Sequence, residues 1–127
     1  MEAAIIGGSR VVSIDLSGRH ILIVEDEPLI TFEIAAALQS AGASVRTAPT
    51  LLDALRLAED PTLSLAIIDL ALGRETTHAL CNRLVERSLP FVIYTGYSDI
   101  PPECKAHAVL RKPAGRQTIL RAVAALV

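Results

Sequence analysis

A chain of 127 residues, of which 51% are hydrophobic and 20% charged, has the size and composition of a single globular domain. Its net charge of −2 and the lack of a basic cluster argue against direct binding to nucleic acid. No apolar run reaches the ~18–20 residues that span a bilayer, and no secretory signal opens the chain, so we expect no membrane insertion. The two cysteines, Cys81 and Cys104, lie far apart and lack nearby histidines at metal-ligand spacing, which fits a reducing, cytoplasmic compartment.

The first 19 residues differ in composition from the rest of the chain. Glycines interrupt them at positions 7, 8 and 18, and their apolar residues include Val11, Val12, Ile14 and Leu16. This composition is compatible with a mobile tail, an extra strand or a linker from an upstream domain. We therefore expect one domain over residues 20–127, preceded by the segment 1–19.

From residue 19 onward, short aliphatic runs alternate with stretches of helical periodicity. The run Ile21–Val24 is continuous, as expected for a strand that is covered on both faces. Pro28 suits a first helical turn, Gly42 a helix end and Thr50 an N-terminal cap. The predicted strands cover residues 21–24, 43–48, 63–70, 91–94 and 108–110, and the helices lie within 28–42 and 50–61, at about 75–87 and around 119–126.

This alternation predicts an α/β fold with a doubly wound, five-stranded parallel sheet and helices on both faces. The expected strand order is 2-1-3-4-5, as in flavodoxin-like folds, with right-handed crossovers. The connection from Tyr94 to Ala108 has only 13 residues between its ends and contains Pro101-Pro102. Because proline disfavours helical geometry at the preceding residue, we expect the fourth helix to be very short or absent.

Polar side chains follow four of the five predicted strands. Glu25 and Asp26 follow the first strand, Asp69 ends the third, Thr95 follows the fourth and Lys112 follows the fifth. Ligands of doubly wound sheets bind beyond the carboxyl ends of the strands, so these side chains should meet at one edge. Each of them alone has an ordinary explanation as a helix cap or a solvated charge, and only their coincidence predicts a site.

The residue types at this edge suit phosphoryl transfer. Three carboxylates repel one another, and oxygen ligands without histidine or cysteine favour a hard cation such as Mg²⁺. Lys112 and Thr95 are suited to binding phosphate oxygens, and the Asp69 carboxylate is suited to attack phosphorus in line.

Four segments together resemble the receiver domains of bacterial response regulators in two-component systems. They are Ile21-Leu22-Ile23-Val24-Glu25-Asp26-Glu27, Ala66-Ile67-Ile68-Asp69-Leu70, Tyr94-Thr95-Gly96 and Arg111-Lys112-Pro113. The resemblance covers about residues 19–127 and implies that Asp69 accepts a phosphoryl group from a histidine kinase. A receiver catalyses its own phosphorylation and slow dephosphorylation but is not a turnover enzyme.

The resemblance also assigns roles to the site residues. It implies that Asp26 and Asp69 ligate Mg²⁺ directly, that Glu25 acts mainly through water and that the backbone carbonyl of Ala71 is a further ligand. It also implies that Thr95 supplies the switch hydroxyl and that Lys112 bridges to the phosphate. The Lys112–Pro113 bond is commonly cis in this family.

The segment Pro90–Tyr97 is similar to the "FAT GUY" motif of a subgroup of single-domain and kinase-linked receivers. One departure is Val109, which stands where most receivers have the aromatic residue that rotates with the switch hydroxyl. We therefore hypothesise that Tyr97 and the loop 96–106 carry the conformational readout instead.

The resemblance implies a sensor histidine kinase or phosphotransfer protein as phosphodonor and an unidentified protein as downstream target. Since the chain ends at Val127, directly after the last predicted helix, we expect output by protein contact or a role as a phosphate sink. A terminal receiver of a hybrid histidine kinase is an alternative, because residues 13–20 look like the linker of such proteins. A Mg²⁺-dependent phosphatase is disfavoured by Ala71, which stands where a second acid is needed, and a phosphate-independent interaction module is disfavoured by the complete set of site residues.

Overall fold

The computed structural model describes residues 3–6, 9–72, 75–96 and 104–127. Its helices are α1 (Pro28–Ser40), α2 (Leu51–Leu57), α3 (His78–Glu86) and α4 (Arg116–Ala124). Its strands are β1 (Ala3–Ile6), β2 (Ser9–Val12), β3 (His20–Val24), β4 (Ser44–Ala48), β5 (Leu65–Ile68), β6 (Ala71–Leu72), β7 (Glu75–Thr76), β8 (Phe91–Thr95) and β9 (Ala108–Arg111).

Five parallel strands form the central sheet in the order β4-β3-β5-β8-β9. Counted within this sheet alone, the order is 2-1-3-4-5, so the predicted fold class and strand order are confirmed. The remaining strands form two separate antiparallel pairs, β1 with β2 and β6 with β7.

Helices cover both faces of the sheet, because the inner strands are apolar on both sides. The face with α2 and α3 is packed around Leu22, Ala66, Leu80, Leu84, Phe91 and Ile93. The opposite face, with α1 and α4, is packed around Ile21, Ile23, Ile34, Leu38, Val92 and Ile119. All four residues of β5 are buried, which explains its uninterrupted aliphatic sequence.

The segment before β3 joins the core through Leu16. Its side chain is 1% exposed and packs with Ile21, Ile34 and Leu38, and its backbone N–H donates to the carbonyl of Ala41 over 2.7 Å. Residues that precede the first strand of the sheet therefore contribute to the packing at the end of α1.

The two cysteines are joined in a disulfide, Cys81–Cys104, with a Cα–Cα distance of 5.2 Å. The sequence-based expectation of distant cysteines in a reducing compartment did not foresee this pair. They meet because α3 and the segment before β9 both lie against the same face of the sheet, where Cys81 and Cys104 are buried with Leu84 and Phe91.

Two local details differ from the predicted elements. The third helix begins at His78 rather than near residue 75, because Glu75–Thr76 form β7 and pair with Ala71–Leu72. Between β8 and β9, neither Gly96 nor residues 104–107 are helical. Residues 97–103, where any short fourth helix would start, lie outside the described residues. None of the described helices is long and apolar enough to cross a membrane.

Candidate functional site

The sheet places the predicted polar residues at the carboxyl ends of its strands. Glu25 follows β3 directly, and its N–H donates to the carbonyl of Ala48 over 3.1 Å. Asp69 follows β5, and its N–H donates to the carbonyl of Val24 over 2.9 Å. Because β3 and β5 are hydrogen-bonded neighbours in register, these two acids leave the sheet side by side.

An ammonium group lies between the two acids. Lys112 follows β9, and its Nζ is 2.5 Å from Oε1 of Glu25 and 3.4 Å from Oδ2 of Asp69. Glu25 is 4% exposed and Asp69 is 7% exposed. The structure thus brings residues from three separate strands together as one largely buried ion-pair cluster.

Burial and the unequal number of charges shift the proton affinity of this cluster. Burial, together with the nearby charge of Asp69, raises the pKa of Glu25 to about 7 and outweighs the opposing effect of Lys112. Burial lowers the pKa of Lys112, but the hydrogen bond from its ammonium to Glu25 and the charges of Asp69 and Glu25 outweigh it and raise the value overall. Burial is the larger cause for Glu25, and the charge of the neighbouring Asp69 carboxylate raises the pKa of both Glu25 and Lys112.

Three successive acids lie within reach of a single cation. The carboxylate oxygens of Glu25, Asp26 and Glu27 lie within 4.8 Å of one another. The Glu25 carboxylate also accepts the backbone N–H of Asp26 over 3.0 Å. These hard oxygen donors fit Mg²⁺ chemically, and one of them, Glu25, is a buried acid whose pKa burial has raised. Sequence reasoning did not single out Glu27, although its place directly after Glu25 and Asp26 was a usable signal.

Thr95 is the last residue of β8 and is fully buried. Its carbonyl accepts the backbone N–H of Lys112 over 2.9 Å, so the strand ends that carry these two residues are linked directly. Ala71 lies in β6, two residues after Asp69. Val109, at the position where an aromatic residue is usual, is exposed on β9. Tyr97 lies outside the described residues.

The Lys112–Pro113 peptide bond is cis, as the family resemblance implies. Residues 21–124 match the family model described as "Response regulator receiver domain". None of the curated proteins compared with the chain matches it significantly.

Solved structures of receivers share this fold. A CheY-like receiver domain protein from Methanospirillum hungatei is 24% identical over 84% of this chain and 91% of its own, with a TM-score of 0.77. A response regulator from Burkholderia pseudomallei, solved with a phosphorylated aspartic acid and a calcium ion, is 27% identical over 83% of this chain and 66% of its own, with a TM-score of 0.75. The receiver domain of a sensor histidine kinase from Pseudomonas aeruginosa, solved with a magnesium ion in its active-site cleft, is 24% identical over 87% of this chain and 98% of its own, with a TM-score of 0.77.

Proposed function

Because the chain belongs to the family of response regulator receiver domains, we propose that Asp69 accepts a phosphoryl group from a phosphohistidine of a histidine kinase or phosphotransfer protein. One observation carries the proposal: the Lys112 ammonium bridges Glu25 and Asp69 at the carboxyl edge of the sheet. The phosphorylated aspartic acid in the similar Burkholderia protein supports it.

In this proposal a carboxylate oxygen of Asp69 forms the new bond to phosphorus, and the phosphorus–nitrogen bond of the phosphohistidine breaks. The electron pair of that bond returns to the imidazole ring. Lys112 then pairs with one phosphate oxygen, and the hydroxyl of Thr95 donates to another. The same groups assist slow hydrolysis of the product, so the protein is a self-modifying signalling module rather than a turnover enzyme.

We propose Mg²⁺ as the cofactor of this site. Glu25, Asp26 and Asp69, with the backbone carbonyl of Ala71, would hold it. Two of these residues, Glu25 and Asp26, belong to the three successive acids whose carboxylate oxygens lie within 4.8 Å of one another, and such hard oxygen donors are consistent with that choice. When bound, the ion supplies charge neutralisation for the incoming phosphate. Asp69 would be held by two cations at once, Mg²⁺ and the Lys112 ammonium.

The proposed output is a change in protein–protein contact. Thr95 and Lys112 are joined through the backbone, so a shift of the Thr95 hydroxyl toward phosphate would act on both β8 and β9. With Val109 in place of an aromatic switch, Tyr97 and the loop 96–106 remain our candidates for the readout, and membership of the "FAT GUY" subgroup remains a prediction.

We further propose that residues 20–127 form the receiver, with 1–19 as an appended tail, extra strand or linker, in a cytoplasmic protein of a bacterium. A terminal receiver of a hybrid histidine kinase is the alternative, and the similar receiver of a sensor kinase is compatible with it. Both contexts use the same chemistry at Asp69. Cytoplasmic thiols are mostly kept reduced, so a cytoplasmic location would require that the Cys81–Cys104 disulfide resists reduction or is absent in the cell.

The test is intact mass spectrometry after incubation with acetyl phosphate, with and without Mg²⁺. We expect a mass gain of one phosphoryl group that needs Mg²⁺ and is absent in Asp69→Asn. Asp15→Asn is the matched control, because Asp15 is exposed and its carboxylate accepts the N–H of the nearby Ser17.

A mass gain that persists in Asp69→Asn would contradict the proposed acceptor. The absence of any gain from either acetyl phosphate or a phosphorylated kinase, in protein that binds Mg²⁺, would favour a phosphate-independent interaction module.

A further inference from the structure

Tyr94 makes a contact that the proposed chemistry does not use. Its side chain is 7% exposed, and its hydroxyl oxygen accepts the backbone N–H of Ala114 over 2.9 Å. Ala114 lies two residues after Lys112. The hydroxyl therefore ties the chain that follows the lysine back to β8, one residue before Thr95.

Lys112 is thus attached on both sides. The backbone N–H of Lys112 donates to the carbonyl of Thr95. Two residues later, the backbone N–H of Ala114 donates to the hydroxyl of Tyr94. The Lys112 Nζ also lies 5.7 Å from the centroid of the Tyr94 ring, within the range of a cation–π interaction. Tyr94 and Thr95, adjacent in β8, therefore hold the backbone around Lys112, and the Tyr94 ring also approaches its ammonium.

Core packing alone does not explain this tyrosine. The ring belongs to the apolar cluster with Ile34 and Ile119, and phenylalanine would fill the same space. A cavity of about 300 Å³ borders the ring beside Ala37, so packing does not enclose it on every side. What distinguishes tyrosine from phenylalanine here is the hydroxyl, and the hydroxyl is bonded to the turn that carries Lys112.

We propose that Tyr94 is a positioning residue for Lys112, which holds the ammonium where it bridges Glu25 and Asp69. A lysine side chain has four rotatable bonds, so fixing its backbone on both sides narrows the region that Nζ samples. The expected effect on the rate of phosphorylation rests on the proposed function. The expected effect on the position of the Lys112 ammonium does not.

The test compares Tyr94→Phe with the unmodified protein in acetyl phosphate kinetics. Loss of one positioned hydrogen bond should lower the maximal phosphorylation rate about fivefold while leaving the Mg²⁺ dissociation constant unchanged. In a Lys112→Ala background the same substitution should have no further effect, because the group that Tyr94 positions is gone. Effects that multiply in the double variant, or an unchanged rate in Tyr94→Phe, would overturn the inference.

A second measurement is independent of phosphorylation. In ¹⁵N spectra, the Nζ resonance of Lys112 should be distinct in the unmodified protein and move toward that of exposed lysine in Tyr94→Phe, while the Ala114 amide exchanges faster. Thermal melting shows whether the variant is folded. If acetyl phosphate and kinase both fail to label the unmodified protein, the proposed function fails, and the Lys112 resonance still decides whether Tyr94 positions the ammonium. An unmoved Lys112 Nζ resonance in folded Tyr94→Phe would overturn the inference.

Discussion

Glu25 and Asp69 share the single ammonium of Lys112, so this buried cluster has two acidic side chains for one basic side chain. The sequence placed all three at strand ends, but it could not show that Lys112 approaches Glu25 more closely than Asp69. That preference depends on side-chain rotamers and on the turn after β9, which strand periodicity does not encode. Glu27 was not predicted as a site residue, although its place directly after Glu25 and Asp26 was a usable signal, and only the structure shows that the three carboxylates lie close together.

The raised pKa of Glu25 predicts a pH dependence of stability. An acid with a higher pKa in the folded protein binds more protons when folded. The free energy of unfolding therefore falls as pH rises from the pKa of the acid in the unfolded chain to its pKa in the folded protein. For Glu25 that window runs from 4.5 to about 7. With a chelator present, we expect a loss of roughly 1–3 kcal/mol across it, measured by urea unfolding at a series of pH values.

Two comparisons separate Glu25 from other acids. Glu25→Gln should remove most of this pH dependence, whereas Glu27→Gln, an exposed neighbour, should retain it. Added Mg²⁺ should flatten the dependence in the unmodified protein, because a nearby cation favours the ionised carboxylate. An equal slope in Glu25→Gln would assign the effect to another group.

Removing the ammonium should leave two buried carboxylates without their shared partner. We expect Lys112→Met to lower the free energy of unfolding by about 3 kcal/mol at pH 8 and by less at pH 5, where Glu25 is protonated. Lys105→Met, at an exposed lysine, is the control and should stay near zero. Equal losses at both pH values would show that Lys112 contributes packing rather than charge.

At the scale of elements, local signals predicted what local interactions decide. Thr50 was expected to cap a helix, and its Oγ1 accepts the N–H of Asp53 over 3.1 Å at the start of α2. The pairing of Glu75–Thr76 with Ala71–Leu72 was not predicted, because two-residue strands are too short to show alternation. The meeting of Cys81 with Cys104 depends on how α3 packs, which is a tertiary property.

The disulfide between α3 and the segment before β9 should contribute to stability. Linking residues that are 23 positions apart restricts the unfolded chain, and we expect reduction to cost about 3 kcal/mol in urea unfolding. The variant Cys81→Ala/Cys104→Ala should be insensitive to reductant. No change on reduction, in protein whose alkylated mass shows a complete disulfide, would contradict this expectation. Alkylation at the moment of cell lysis would also show which redox state the protein has in cells.

At the scale of the whole molecule, the alternation of apolar runs and helical stretches was enough to predict the sheet. Continuous aliphatic runs such as Ile21–Val24 require cover on both faces, and short connections leave few possible strand orders. The packing of the segment before β3 was not predictable in the same way. Val12, Ile14 and Leu16 alternate with polar residues, a pattern that favours a strand, but residues 13–16 form no strand, so the pattern did not show where Leu16 packs.

Leu16 therefore provides a test of how far the folded unit extends. Truncating this buried side chain in Leu16→Ala should cost about 3 kcal/mol in the free energy of unfolding. Leu52→Ala, on the exposed side of α2, is the matched control and should change stability by less than ~0.5 kcal/mol. Similar effects for both substitutions would place Leu16 outside the cooperative unit.

The Cys81–Cys104 link also closes a covalent ring of the chain, and this ring includes one strand of the central sheet. The ring contains β8 with Thr95, while Asp69 precedes it and Lys112 follows it. A single peptide bond cut inside the ring would produce two polypeptides, one with the acids and one with the lysine, that stay attached to each other. Such a nicked receiver would keep its two halves at high effective concentration until a reductant releases them.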